Sequence, residues 1–131
     1  MSTLWNGTYT ALATPFTADG EIDHDLLCDL VDWQLQSGVD GIVPCGTTGE
    51  ASTMTNDEHT GVIESVVARV NGQAKVLAGV GGNDTRNVTI LASRALEMGA
   101  DGVLAVAPYY NKPTQAGMVA HFTAIADTVD I

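Results

Sequence analysis

The sequence predicts an α/β fold of four parallel strands alternating with four helices, (βα)4, over its 131 residues. Three observations carry this. Short apolar runs alternate with stretches of helical periodicity along the whole chain. The apolar runs start roughly 30 residues apart, the usual size of a βα unit. They also lack polar alternation, which predicts burial on both faces, as in a parallel sheet.

Gly7–Ala13 reads as the first strand. Asp23–Ser37 reads as a helix with Leu26, Leu27, Leu30, Val31 and Leu35 on one face, Asp23 as N-cap and Gly38 as the glycine that ends it. Gly41–Cys45 is a short second strand. Thr55-Asn56-Asp57-Glu58 has the form of a capping box, and its helix runs to about Val70, with Gly72 behind. Lys75–Gly79 is the third strand. The third helix starts at Asp84 or Thr85 and ends near Met98, before Gly99. Gly102–Ala107 is the fourth strand, and about Thr114–Thr128 the fourth helix. The turn Ser37-Gly38-Val39-Asp40-Gly41-Ile42-Val43 recurs as Met98-Gly99-Ala100-Asp101-Gly102-Val103-Leu104. Duplication explains this, and so does the ordinary preference of such loops for Gly and Asp.

Two architectures accept four βα units: an open doubly wound sheet, and half of a (βα)8 TIM barrel. An open sheet that binds dinucleotides carries a Gly-rich phosphate loop after strand one. Here that strand leads into Thr14-Pro15-Phe16-Thr17-Ala18-Asp19-Gly20. Gly79-Val80-Gly81-Gly82-Asn83 is Gly-rich but lacks the acidic ribose partner.

A net charge of −11 and a pI near 4.2 argue against nucleic acid or an anionic membrane as partner, since both need basic surface. No apolar run approaches the roughly 20 residues that span a bilayer. Met1–Gly7 has neither the basic nor the apolar region of a secretory signal. Cys28 and Cys45 match no metal-ligand spacing and read as reduced thiols of a cytoplasmic protein. His24, His59 and His121 are scattered and read as surface histidines. Neither a metal nor a cofactor is expected.

The distinctive residues follow strand ends: Thr14, Thr47 and Thr48, Asn83, Tyr109 and Tyr110. Both architectures place their sites there. In Gly46-Thr47-Thr48-Gly49 two glycines permit a tight turn whose N–H groups can face a pocket, and two hydroxyls add donors. That combination suits a carboxylate or phosphate; an ordinary turn explains it too. Tyr109-Tyr110 reads either as packing or as a phenol placed to pass a proton.

Together the motifs say more. Gly46-Thr47-Thr48-Gly49-Glu50, then Pro108-Tyr109-Tyr110-Asn111-Lys112-Pro113-Thr114-Gln115, and the opening Ala11-Leu12-Ala13-Thr14-Pro15-Phe16, resemble the dihydrodipicolinate synthase family of pyruvate-dependent class I aldolases. The resemblance runs over essentially the whole chain, as the N-terminal half of a member. Thr48 and Tyr110 favour the synthase branch over the N-acetylneuraminate lyase branch. The resemblance implies a TIM barrel, an oligomer of tight dimers, and an aldol reaction in which a lysine imine of pyruvate becomes an enamine and attacks aspartate semialdehyde, toward lysine and diaminopimelate. By position Thr47 is the relay hydroxyl, Thr48 binds the pyruvate carboxylate, and Tyr110 joins the proton relay of the neighbouring subunit. A lysine feedback site falls on Ala51, Ser52, Asn56, His59, Asn83, Asn87 and Tyr109. Sensitive members tend to carry a carboxylate where this chain has Asn87 and a histidine where it has Asn56, which predicts weak feedback.

By the same resemblance the imine lysine, the main catalytic tyrosine and a carboxylate-binding arginine fall beyond Ile131. The chain has two lysines, Lys75 and Lys112. Lys75 starts the third strand, at the wrong end of a barrel. Lys112 is near the mouth, but a solvated lysine is mostly protonated and a poor nucleophile. Residues 1–131 are therefore expected to form an N-terminal half-barrel without turnover of its own, stopping before a fifth strand that Asp130-Ile131 would begin. Its partner is expected to be a complementary C-terminal half or further copies. The alternative readings are a non-catalytic half-barrel that serves assembly, and a small open-sheet anion-binding module.

Overall fold

The computed structural model describes residues 5–129. The start of a fifth strand at Asp130-Ile131 lies outside them. Strands β1 (Tyr9–Ala11), β2 (Gly41–Val43), β3 (Lys75–Gly79) and β4 (Gly102–Leu104) form one parallel sheet in the order β1-β2-β3-β4. Tyr9 stands opposite Gly41, Gly41 opposite Lys75, and Leu77 opposite Gly102. A doubly wound sheet reverses its strand order at a switch point. This order runs one way, which is the winding of a barrel sector, and the chain is a (βα)4 half-barrel.

The helices are α1 (His24–Gln36), α2 (Asn56–Val70), α3 (Thr85–Glu97) and α4 (Gln115–Thr128). Side-chain caps fix their starts. Asp23 accepts from Leu26 N, Thr114 from Gly117 N, and Asp84 from Arg86 N. The capping box is complete: Thr55 N donates to Glu58 Oε2 at 2.7 Å, and Glu58 N to Thr55 Oγ1 at 3.3 Å. The bonds that the Thr55 N–H and hydroxyl donate to Glu58 Oε2 hold that carboxyl below the usual carboxylate range. Such a cap is worth about 1 kcal/mol. The core lies between sheet and helices, with Leu27 and Val31 of α1, Val62, Ile63 and Val66 of α2, and Val88 and Ala92 of α3 closing on Ile42, Val76 and Ala78. Outside it, Arg69 of α2 pairs with Asp32 of α1.

The recurring Gly-x-Asp-Gly turn has one task in both places. Gly38 (φ 79°) and Gly99 (φ 94°) end their helices in the left-handed region. Asp40 Oδ2 then accepts from Thr8 N at 2.7 Å, and Asp101 Oδ2 from Val76 N at 2.9 Å, so each carboxylate binds a backbone N–H at the start of the neighbouring strand.

Three expectations are corrected. β1, β2 and β4 are shorter than the apolar runs Gly7–Ala13, Gly41–Cys45 and Gly102–Ala107, because ladder pairing stops before the runs do. Residues 105–107 continue beside Gly81, where a Cβ would lie 2.6 Å from Val106 N, without forming a ladder. Burial on both faces holds for β2 but not for the edge strands β1 and β4, whose Ala11 and Leu104 are exposed, Leu104 by 47%. His59 and His121 are buried rather than on the surface. His59 Nε2 donates to the Gly79 carbonyl at 2.8 Å, tying α2 to the end of β3. His121 Nδ1 lies 2.8 Å from Thr85 Oγ1, between α4 and α3.

Candidate functional site

The loop after β2 lies at the C-terminal end of the sheet and is held on three sides. Cys45 (φ 55°) and Glu50 (φ 57°) bracket it in the left-handed conformation, which non-glycine residues adopt only where packing enforces it. Gly79 N donates to Pro44 O at 2.9 Å, and the backbones pack so closely that a Cβ at Gly79 would lie 2.1 Å from Cys45 O. From β1, the buried Thr14 hydroxyl donates to Gly49 O at 2.8 Å. Gly49 has no room either: a Cβ there would lie 3.0 Å from Leu12 O.

Within the loop, Gly49 N and Ala51 N donate to Gly46 O, and Glu50 N to Thr47 O. The N–H groups and hydroxyls of Thr47 and Thr48 make no hydrogen bond among the described residues, and both residues are exposed. Two backbone donors and two hydroxyls in sequence are suited to an anionic oxygen pair. Thr47 lines a cleft of about 310 Å³ with Cys45, Gly46, Gly79, Gly81, Leu104, Val106 and Tyr109. Thr48 and Tyr110 are not among its lining residues. Cys45 faces this cleft as an inert group. It is 3% exposed, its Sγ donates to His59 O at 3.6 Å, and burial pushes its thiol up to about 12. Burial also keeps His59 neutral, holding it below its ordinary range against the opposing pull of the Gly79 carbonyl.

Tyr110, next to the cleft-lining Tyr109, is 92% exposed, with φ 67°. Asn111 N donates to Tyr109 O at 2.8 Å across it, a tight turn of the rare, strained kind. The sequence thus brings Thr47 to a cleft and leaves Tyr110 projecting outward, away from this chain's own packing. Sequence reasoning missed the tether from His59 to Gly79 and the clamp between Asn83 and Asn111, because neither has a motif. Both are polar contacts, one bond in the first and two in the second, between segments far apart in the chain.

Beside the cleft, a cavity of about 140 Å³ has Ala51, Ser52, Asn56, His59, Asn83, Asp84, Asn87 and Tyr109 among its lining residues. Asn56 Nδ2 donates to Asn87 Oδ1 at 2.7 Å, and Asn87 Nδ2 to Asn56 Oδ1 at 3.3 Å, so the two amides satisfy each other. Neither lysine stands in the cleft. Lys75 Nζ lies 2.5 Å from Asp101 Oδ1 at the opposite end of the strands, and that carboxylate raises its pKa. Lys112 is exposed in the loop after Tyr110, with φ 47°. Among the described residues no helix is long and apolar enough to cross a membrane.

The profile of the Dihydrodipicolinate synthetase family matches residues 4–131. Similar curated proteins include the 4-hydroxy-tetrahydrodipicolinate synthase of Pelobacter propionicus, 54% identical over 128 residues, 98% of this chain and 44% of the relative. The same-named protein of Geobacter metallireducens is 52% identical over the same shares. Among solved structures, dihydrodipicolinate synthase from Aquifex aeolicus superimposes with a TM-score of 0.94 at 49% identity, over 97% of this chain and 43% of that one. The Acinetobacter baumannii enzyme, solved with pyruvate, gives 0.93 at 44% identity, over 95% and 43%. The chain thus spans less than half the length of the relatives it matches, corresponding to their N-terminal half.

Proposed function

The chain belongs to the dihydrodipicolinate synthetase family, and we propose that it is the N-terminal half-barrel of a cytoplasmic, oligomeric synthase that condenses pyruvate with aspartate semialdehyde. The observation that carries this reading is the Thr47-Thr48 pair, whose backbone and hydroxyl donors are unspent among the described residues at the C-terminal end of a parallel sheet. In a (βα)8 enzyme that end holds the chemistry. Thr48, with its N–H and hydroxyl, binds the carboxylate of pyruvate. Thr47, in the cleft, relays a proton between the reacting atoms and the phenol of Tyr110. Tyr110 serves a neighbouring subunit, which accounts for a phenol exposed on its own chain.

Residues 1–131 supply binding and proton transfer but no activated amine. Lys75 is locked in an ion pair at the wrong end of the sheet. The test is to treat the 131-residue chain with pyruvate and borohydride and measure its intact mass. No pyruvyl adduct is expected. A chimera of residues 1–131 with the C-terminal portion of the Pelobacter propionicus synthase is expected to label and to turn over. An adduct on the chain alone would sink the claim that the imine lysine lies elsewhere. An inert, folded chimera would favour the alternative, a half-barrel that serves assembly.

Feedback by lysine is weak in this reading. An ammonium ligand gains most from a charged partner; the Asn56–Asn87 amide pair offers none, and the one carboxylate lining the cavity among the described residues, Asp84, is engaged in capping α3 at Arg86 N. Millimolar lysine is expected to leave the chimera's rate within about twofold of the uninhibited value. Inhibition at micromolar lysine would overturn the assignment.

A further inference from the structure

A bulky residue with φ 67° is strained, and such a conformation persists only where its surroundings hold it. Tyr110 is 92% exposed, so its own side chain does not hold it. Lys112, two residues on, is also left-handed and exposed. The hydrogen-bonded fastening of this turn among the described residues is Asn111. Its N–H closes the turn on Tyr109 O at 2.8 Å. Its side-chain Nδ2 donates to Asn83 O at 2.7 Å, and its Oδ1 lies 3.5 Å from Asn83 Nδ2. Asn83 directly precedes Asp84, the N-cap of α3. One amide thus ties the strained turn to the start of a rigid helix.

We propose that Asn111 is a positioning residue whose amide, anchored on the Asn83 carbonyl, holds Tyr110 in the orientation that the relay uses. This rests on the reading of Tyr110 as a relay group. The essential bond is the donor on Nδ2, because the carbonyl of Asn83 can only accept. An aspartate has nearly the same shape but no such donor. It would set a carboxylate against that carbonyl, so Asn111→Asp should fail as Asn111→Ala does. Residue 111 is exposed and outside the core, so neither change touches the packing that folds the domain.

The experiment is a double-mutant cycle in the chimeric synthase. Tyr110→Phe is expected to lower kcat roughly 100-fold, the low end for removing a proton-transfer group. Asn111→Asp and Asn111→Ala are each expected to lower kcat roughly tenfold with the KM for pyruvate unchanged, since a misplaced group is slower rather than absent. The pair Tyr110→Phe with Asn111→Asp should be no slower than Tyr110→Phe alone. Wild-type kcat in the Asn111 variants beside a slow Tyr110→Phe would overturn the proposal. So would losses that multiply in the double variant, which mark an independent role. Should Tyr110→Phe run at the wild-type rate, the relay reading falls. The positioning claim is then decided by hydrogen exchange at the Asn111 backbone amide of the same proteins. Faster exchange in Asn111→Asp supports it, and unchanged exchange overturns it.

Discussion

Thr47→Val in the chimeric synthase is expected to lower kcat roughly 100-fold while the KM for pyruvate stays within a few-fold. Valine keeps the branched shape of threonine and removes only the hydroxyl, so the effect reports chemistry rather than packing. Thr47 lines the cleft, is exposed, and its hydroxyl has no hydrogen-bond partner among the described residues. Removing it therefore leaves no protein group unsatisfied, and a stability loss large enough to mimic the kinetic one is not expected. A 100-fold loss corresponds to about 2.7 kcal/mol of transition-state stabilisation. Thr48→Val is expected to move the other constant, raising the KM for pyruvate, because on the proposed reading its hydroxyl binds a carboxylate that is charged before and after the aldol step. Its backbone N–H survives the substitution and limits the rise to roughly tenfold. The split between the two neighbours is the test. If Thr47→Val changes only KM, Thr47 is a second carboxylate donor and the relay assignment is wrong.

The sequence predicts the architecture well because the decisive signals are local. Caps at Asp23, Thr55 and Asp84, and glycines at 38 and 99, all lie within a turn of the boundaries they set. Sheet order is not local: the strand pattern by itself fits an open sheet or a barrel half, the resemblance carried by the motifs implies the barrel, and the one-way order β1-β2-β3-β4 bears that out. The error on the histidines has the same root. His59 follows the polar run Thr55–Glu58, and nothing beside it in sequence announces that its ring meets Gly79 on the next strand. For β4, the apolar run Gly102–Ala107 predicts burial on both faces. Yet a strand is buried on both faces only when a layer packs on each side of the sheet, and among the described residues the core lies on the helix side, leaving Leu104 of the edge strand β4 exposed.

Gly79→Ala is expected to destabilise the fold by about 3 kcal/mol, combining an overpacked backbone with a strained buried hydrogen bond. The added Cβ would meet Cys45 O at 2.1 Å, Cys45 C at 2.5 Å and Gly46 N at 2.8 Å. All three are backbone atoms, so no side chain can swing aside. Relief requires β3 and the Cys45–Gly46 segment to separate. That stretches the Gly79 N to Pro44 O bond and the His59 Nε2 to Gly79 O bond together. Against this stands the lower unfolded-state entropy of alanine, worth only about 0.4–1 kcal/mol, so the clash wins. Gly61→Ala in the middle of α2 reverses the balance. Its Cβ would meet His24 Cε1 at 3.6 Å, an ordinary contact, and helix propensity then favours alanine by about 1 kcal/mol. Urea unfolding of the two variants should therefore move the midpoint in opposite directions. Because Gly79 also sets the position of Cys45 and Gly46, Gly79→Ala should weaken pyruvate binding where it still folds. A Gly79→Ala protein as stable as its parent would mean that the loop carrying Thr47 and Thr48 does not rest on β3 as described.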